Sequence, residues 1–149
     1  MQPDCFWVNP FGRAFSLITK SDLILAAGNV IDGGEGRDIY VGGGGADVFV
    51  FGNLGPTSYY ETAAILDFEA GRDRIEIDAD LLGAEAGPLD RAMVAFGTEA
   101  QDADDRLLVD RASGEVWLDA DGAGGADAVL FARIIEESDM PLWGDVLLV

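Results

Sequence analysis

Short apolar segments recur along the chain, and turns rich in glycine and aspartate separate them. Residues 39–41 and 48–50 each follow a run of glycines, and residues 73–78 alternate charged and apolar side chains. Strict alternation is typical of a strand with one buried face. Segments of this length, bounded by turn residues, are strands rather than amphipathic helices. The pattern therefore predicts an all-β protein.

The second half of the chain has the pattern of antiparallel strands. Residues 106–110 and 115–119 are apolar segments on either side of a turn that contains Gly114, and this arrangement predicts a β-hairpin. Further strands are expected at 92–96, 128–132 and 145–149, with a helical turn at 80–82. Residues 59–66 fit a short helix or a strand, and their periodicity does not decide between the two.

Two nine-residue repeats, 33–41 and 42–50, share one rule. Glycine occupies positions one, two and four, aspartate position six, and an aromatic residue position eight. Glycine allows backbone conformations with positive φ and a close approach to a bound ion. The aspartate supplies a hard oxygen, and the last three residues form a short strand whose middle side chain points inward.

The residues before these repeats are degraded copies. Residues 17–25 keep Asp22 at position six but have no glycines, and residues 26–32 are two residues short, with Asn29 in the aspartate position. No further glycine repeat follows residue 50. Each intact turn therefore has an incomplete neighbour, and later acidic residues, Asp32 or water would have to complete the oxygen shell of a bound cation.

Charge and composition exclude several functions. A net charge of −19 opposes binding to nucleic acid or an anionic membrane, since both require a basic surface. Divalent cations are natural counter-ions, and without them charge repulsion should loosen the fold. The chain has no histidine, so it lacks the usual general base and histidine-based zinc sites. The single Cys5 cannot form an internal disulfide.

The N-terminal residues do not have the pattern of a secretory signal, and the chain has no apolar stretch of membrane-spanning length. The N-terminus has an early Asp4 and no long apolar run, which is unlike a secretory signal, and no stretch is long enough for a membrane span. Residues 1–16 contain Phe6, Trp7, Phe11 and Phe15. We expect these aromatic residues to cap the first strands, because an open end invites aggregation; contact with an upstream domain or a homodimer is the alternative.

Four landmarks in order resemble one family, the C-terminal RTX β-roll module of serralysin-type secreted proteases, which also occurs on other exported bacterial proteins. They are the glycine repeats 33–50, the element 67–75, the loop 119–125, and the acidic-then-apolar end 145–149. The resemblance implies a short parallel β-roll that continues into an antiparallel β-sandwich. It places a cap at 1–16 and one domain at 17–149, with repeats at 17–50 and the antiparallel part at 59–149.

The resemblance also implies where calcium binds. In the family, two nonapeptides make one turn of a right-handed roll, and calcium lies between stacked loops. Carried over by motif position, Asp38 and Asp47 are the side-chain ligands, with Asp22 stacked on the side of Asp38 and Asn29 on the side of Asp47. Carbonyls near Gly33, Glu35, Gly42 and Gly44 complete the set. Because the neighbouring turns are degraded, we expect few calcium ions, roughly one to three.

Three other interpretations remain open at this stage. The glycine turns could keep their shape without metal. The loop 119–127 matches some EF-hand positions, but Ala123 and Leu130 replace required ligands, which favours a tight Asp-Gly hairpin loop. Asp67 and Asp73 could be the paired carboxylates of a glycosidase, although acidic residues are too common here for that to be specific.

The resulting functional hypothesis is a Ca²⁺-binding module, secreted by a type I exporter, that folds on binding calcium outside the cell. The residues after Asp145 resemble an uncleaved C-terminal secretion signal, and a terminal strand is the simpler interpretation. The chain contains no His-Glu-x-x-His and no Gly-x-Ser-x-Gly motif, so we expect no enzyme activity of those kinds. The alternatives are a non-catalytic fragment of a larger secreted hydrolase, protease or epimerase, and a free-standing surface or adhesion protein.

Overall fold

A computed structural model describes residues 28–32, 38–52, 62–135 and 143–149, together with the backbone of 16–17. The described part is all-β, as predicted, and its strands form two sheets. The strands are β1 (Ser16–Leu17), β2 (Val30–Asp32), β3 (Asp38–Tyr40), β4 (Val48–Phe51), β5 (Ala63–Ile65), β6 (Arg74–Ile77), β7 (Gly87–Pro88), β8 (Val94–Phe96), β9 (Leu107–Asp110), β10 (Glu115–Leu118), β11 (Val129–Ile134) and β12 (Val146–Leu148).

Successive strands of the first half alternate between the two sheets. One sheet has the order β1-β3-β5-β11-β10-β9-β8, and the other has the order β2-β4-β6-β12-β7. The pairs β2–β4, β4–β6, β1–β3 and β3–β5 are all parallel. A chain that crosses between sheets after every short strand and pairs with the strand two positions away is a β-roll. The predicted parallel β-roll is confirmed.

The core lies between the sheets and combines aliphatic side chains with a group of aromatic rings, two of which come from the repeats. Tyr40 and Phe49 hold the same position in consecutive repeats and reach the core from opposite sheets, with ring centroids 6.0 Å apart. Phe51 then contacts Tyr40 at 5.6 Å and Phe131 at 5.0 Å, in edge-to-face geometry. All four side chains are buried. Aromatic pairs in such geometry add to the energy gained from buried area alone.

Parallel pairing continues past residue 59, where the sequence suggested that the antiparallel part begins. β5 and β6 extend the roll, β11 pairs parallel with β5, and β12 pairs parallel with β6. The segment 59–66, left undecided above, contains the strand β5. Two strands distant in sequence therefore supply the last rung of the roll. Periodicity cannot show this, since a strand has the same pattern in either direction.

The antiparallel part is built on the predicted hairpin. β9 pairs with β10, and β10 with β11, the latter with an irregularity between Val116 and Trp117. The predicted helical turn is a 3₁₀ turn at Ala79–Leu82, capped by Asp78, whose Oδ1 accepts from the Asp80 N–H at 3.0 Å. The segment expected as a strand at 92–96 begins with the end of a 3₁₀ turn (Arg91–Met93) and becomes β8 only at Val94.

No helix in the described ranges has the length and apolar character needed to span a bilayer. The aromatic residues of 1–15 lie outside the described residues, so the predicted cap, upstream contact or homodimer stays a prediction.

Candidate metal centre

Asp47 is the best-defined candidate ligand. It lies directly before β4, and its side chain is 1% exposed. Its Oδ1 accepts hydrogen bonds from the backbone N–H of Asn29 at 2.8 Å and from Asn29 Nδ2 at 3.0 Å. Its Oδ2 is buried and has no hydrogen-bond partner among the described residues. A buried carboxylate oxygen without a donor is costly unless a cation or water satisfies it.

The turn before Asp47 brings Gly42 against this oxygen. A Cβ at Gly42 would lie 2.5 Å from Asp47 Oδ2 and 2.9 Å from Asp47 Cγ, which is too close for any side chain. Farther along the turn, Gly43 and Gly45 adopt φ values of 89° and 124°, a region that favours glycine. The glycines of the repeat therefore serve two purposes, which are the backbone path and the space beside the carboxylate.

Asn29 lies in the stack where the repeat register predicted it. Val30 is paired with Val48, so Asn29 and Asp47 hold equivalent positions on neighbouring strands. The Asn29 side chain is a hydrogen-bond donor here, since Nδ2 contacts Asp47 Oδ1 and also Gly42 O at 3.2 Å. Its predicted stacking on the side of Asp47 is confirmed, while its role as a ligand stays a prediction.

Two acidic residues outside the repeats complete the other side of the turn. The Asp67 carboxylate accepts from the N–H groups of Gly42 (Oδ1) and Gly43 (Oδ2), both at 2.8 Å. Two successive backbone N–H groups form a small anion-binding nest. Asp67 thus orders the glycine turn from the rung above, and its oxygens are occupied by donors, which does not suit a paired glycosidase carboxylate.

Asp73 plays the corresponding part for Asp47. Its Oδ1 accepts from the Asp47 N–H at 2.9 Å, and its Oδ2 accepts from the Glu69 N–H at 2.8 Å. Burial raises the pKa of the Asp73 carboxyl above its ordinary value, although both hydrogen bonds oppose that shift. Asp73 therefore keeps a desolvated carboxylate next to Asp47, and a nearby cation would lower the cost of its charge.

These residues belong to one column along the roll. Each parallel strand of the five-stranded sheet is directly preceded by a polar residue: Asn29 before β2, Asp47 before β4, Asp73 before β6 and Asp145 before β12. Asp145 is 8% exposed, and its Oδ1 accepts from the Gly71 N–H at 2.9 Å. This position of Asp73 and Asp145 in the column was not predicted from the sequence. The sequence feature that could have indicated it is an aspartate directly before a short apolar strand, in a segment that lacks the glycine turn of the repeats.

The sequence model of the family described as Peptidase M10 serralysin C terminal matches residues 18–140. The chain belongs to this family. The resemblance drawn from the glycine repeats is therefore confirmed. No curated protein matches the sequence. The serralysin C-terminal domain is the calcium-binding RTX β-roll and the non-catalytic part of secreted serralysin-type proteases.

The oxygen chemistry of the turn fits the cation that the serralysin C-terminal family binds. Asp47 and the glycine carbonyls offer hard oxygen atoms, which calcium prefers. Within the described residues, no group of three or more acidic, histidine or cysteine side chains converges on one point. Gly44, one of the predicted carbonyl donors, is exposed, with no neighbouring atom within 4 Å of its Cβ position.

The second candidate ligand of this serralysin-type roll, Asp38, is the first residue of β3 and is 2% exposed. It begins a strand in the sheet opposite Asp47, as the alternation of repeats predicts. In the described part of the chain, Ser16 is the residue paired with Asp38. Asp22, Gly33 and Glu35 lie outside the described residues, and their roles stay predictions.

The loop after β10 is a hydrogen-bonded Asp-Gly loop, as the sequence favoured. Asp119 Oδ1 accepts from the N–H groups of Asp121 and Gly122, and Asp121 Oδ2 accepts from those of Gly125 and Ala126. These bonds hold the pKa of the Asp121 carboxyl below its ordinary value, with that from Ala126 as the largest cause. Strands flank the loop on both sides, so the EF-hand interpretation is wrong.

Proposed function

We propose that this chain is the calcium-binding module of a secreted protein and that calcium binding is coupled to closure of the roll. The observation that carries the proposal is Asp47 Oδ2, a buried carboxylate oxygen without a described donor, placed against the glycine turn. Membership of the serralysin C-terminal family supports calcium as the cation. Asp47 and Asp38 are the proposed side-chain ligands.

In the folded roll, the chain's own residues hold this site in place. Asn29 donates to one oxygen of the Asp47 carboxylate, and Asp73 accepts from the Asp47 backbone N–H. Asp67 accepts from the Gly42 N–H in the glycine turn. Bound calcium supplies positive charge that offsets the desolvation of these carboxylates. The carbonyls near Gly33, Glu35, Gly42 and Gly44, with Asp22 and Asn29 below them, are the proposed remaining donors.

Such linkage makes folding depend on calcium concentration. Binding to the folded state alone stabilises it by RT ln(1 + [L]/Kd), which is about 2.7 kcal/mol per site at a hundredfold excess over Kd. At low calcium, the charge of −19 favours an expanded chain. We propose that this expanded chain passes through a type I exporter and that the roll closes outside the cell, with the segment after Asp145 carrying the export signal.

We propose that the module itself is non-catalytic. A part of a larger secreted hydrolase, protease or epimerase is the alternative, as is a free-standing surface protein. An exporter operon beside the gene favours a free-standing secreted protein, and an upstream reading frame in register favours a fragment.

Calcium titration followed by circular dichroism tests the coupling. We expect loss of β-sheet signal in chelator and its recovery as calcium is added. Asp47→Asn removes one anionic oxygen while keeping an acceptor for Asn29, so the calcium midpoint should rise about tenfold or more, the loss of one charged ligand contact.

Asp104→Asn is the matched control. It removes the same charge from an exposed loop residue and should leave the midpoint nearly unchanged. A protein that is already folded in chelator and indifferent to calcium would rule out the coupling. Equal responses of the two variants would rule out the assignment of Asp47.

A further inference from the structure

An exposed cluster of two arginines and two aromatic rings lies at one end of the seven-stranded sheet. The Arg111 guanidinium lies 4.6 Å from the centroid of the Phe96 ring, and the Arg91 guanidinium lies 5.2 Å from the same centroid. Arg91 also lies 5.0 Å from the Trp143 ring. Phe96 is 38% exposed and Trp143 is 36% exposed. We call these four residues the arginine–aromatic patch.

The patch concentrates positive charge in a protein that is otherwise strongly acidic. The chain has nine basic and 28 acidic residues, yet Arg74 and Arg106 form no ion pair in the described part of the chain. Arg72 and Arg133 do form ion pairs, with Glu69 and Glu115. In the described part of the chain, neither arginine of the patch forms one. Two like charges over one ring repel each other, and an added anion would relieve that repulsion.

The geometry selects the chemistry of the anion. A guanidinium stacked on a ring keeps its N–H donors in its own plane, at the edges, where they match a carboxylate. Since guanidinium groups already lie over the rings, a sugar that needs an aromatic face to stack on is disfavoured. Arg91 Nη1 donates to the Val94 carbonyl at 3.0 Å, which fixes this guanidinium beside β8.

The arginine–aromatic patch lies at the edge of the sheet, and this position favours an extended partner. β8 is the last strand in the order of its sheet, and β9 is its only strand partner in the ranges that the structure describes. Arg91 occupies both main-chain groups of Val94, through its backbone carbonyl and its Nη1. The part of this edge to which an extended peptide can add through main-chain hydrogen bonds is therefore at the exposed Phe96. We propose that the arginine–aromatic patch docks an extended acidic segment of another polypeptide, whose carboxylates bind Arg91 and Arg111.

A fluorescein-labelled decaglutamate peptide tests the proposal by fluorescence anisotropy. The measurement uses the full chain with saturating calcium and about 0.15 M salt, at which repulsion from distant acidic groups is screened beyond roughly 8 Å. We expect saturable binding of decaglutamate and no binding of a decaglutamine peptide. The double variant Arg91→Gln/Arg111→Gln should weaken binding by about tenfold, as expected for two exposed charge pairs.

The double variant Arg72→Gln/Arg133→Gln is the matched control, because it removes the same charge at exposed arginines outside the patch. It should change the affinity less than about twofold. Arg111→Gln alone provides a second test, since Arg111 is exposed and should be dispensable for folding; we expect about a threefold loss of affinity. Equal losses in the two double variants, absence of decaglutamate binding, or binding of oligogalacturonate in place of the peptide would each overturn the proposal.

Discussion

At the scale of single residues, the roll depends on carboxylates that receive backbone N–H groups from a neighbouring turn. The Asp47 carboxylate accepts from the Asn29 N–H, and the Asp73 carboxylate accepts from the Asp47 N–H. The Asp67 carboxylate accepts from the N–H groups of Gly42 and Gly43. Hydrogen bonds to a charged group contribute more than neutral ones. Asp47 also has a buried oxygen with no donor in the described part of the chain, whereas both oxygens of Asp67 and both oxygens of Asp73 accept backbone N–H groups.

The contact between Gly42 and Asp47 leads to a prediction about packing. Gly42→Ala should lower the free energy of unfolding by about 1–3 kcal/mol, because the new methyl group would collide with the Asp47 carboxylate. Urea denaturation with calcium present measures the loss. Gly44→Ala is the control, since no atom lies within 4 Å of its Cβ position. Similar losses for the two variants would show that the backbone conformation of the turn, and not the carboxylate, requires glycine at residue 42.

A second residue-scale prediction concerns pH. The Asp110 carboxylate accepts from the Ala112 N–H at 3.0 Å and from Ser113 Oγ at 2.8 Å, and these bonds, the backbone one first, lower the pKa of Asp110 below its ordinary value of 3.8. A pKa that is lower in the folded state gives stability that is present above the unfolded pKa and lost as pH falls through the folded pKa.

Wild type should therefore be more stable than Asp110→Asn near neutral pH, and the difference should shrink as the pH falls below about 4. Urea midpoints measured across this range provide the check, with Asp104→Asn as a control for removal of one charge. A difference that stays constant with pH would contradict the role assigned to the ionised Asp110.

At the scale of elements, strands from distant parts of the chain complete the roll. β12 pairs with β6, and Asp145 at its start accepts from the Gly71 N–H. Beyond the strand, the Val149 N–H donates to Ile77 O at 3.0 Å, and the Ala79 N–H donates to Val149 O at 3.0 Å. Hydrogen bonds at both ends of β12 therefore connect it to the residues around β6.

The contact of Asp145 with Gly71 predicts that loss of this carboxylate loosens β12. Asp145→Ala should lower the free energy of unfolding by about 1–3 kcal/mol, because it removes the hydrogen bond between the Gly71 N–H and a charged acceptor. Hydrogen exchange should show faster exchange at residues 146–148 than in the β9–β10 hairpin. Asp145→Asn keeps an acceptor oxygen and should lose less. Unchanged protection of β12 in the alanine variant would mean that the strand pairing alone holds it.

At the scale of the whole molecule, a large negative charge coexists with a closely packed aromatic core. Phe49, Phe68, Tyr40 and Phe131 are almost completely buried, while the net charge is −19. The core favours closure, and the charge opposes it. In the proposed coupling, calcium acts on the second of these terms, so that a modest number of bound ions would control folding of the entire module.

This balance predicts a difference between specific binding and general screening. In chelator, sodium chloride should raise the melting temperature slightly by screening repulsion. Calcium chloride should raise it much further at a far lower ionic strength. Magnesium chloride is the control, because magnesium has the same charge but requires small octahedral geometry and releases its water reluctantly. Equal effects of calcium and magnesium would indicate screening without a calcium-selective site.

The sequence alone determined the fold class, the family and the glycine turn at 42–47, because the glycine rule and the period of nine residues are local properties of the chain. It also determined the β9–β10 hairpin, whose turn residues are local. Only the tertiary structure decided that Asp67 and Asp73 complete the turn of Asp47 and that β11 and β12 form the last rung. Those contacts join residues between 24 and 74 positions apart, and no local pattern specifies which distant carboxylate faces which N–H. The same holds for the arginine–aromatic patch, which exists only where β8, the β9–β10 turn and the approach to β12 meet.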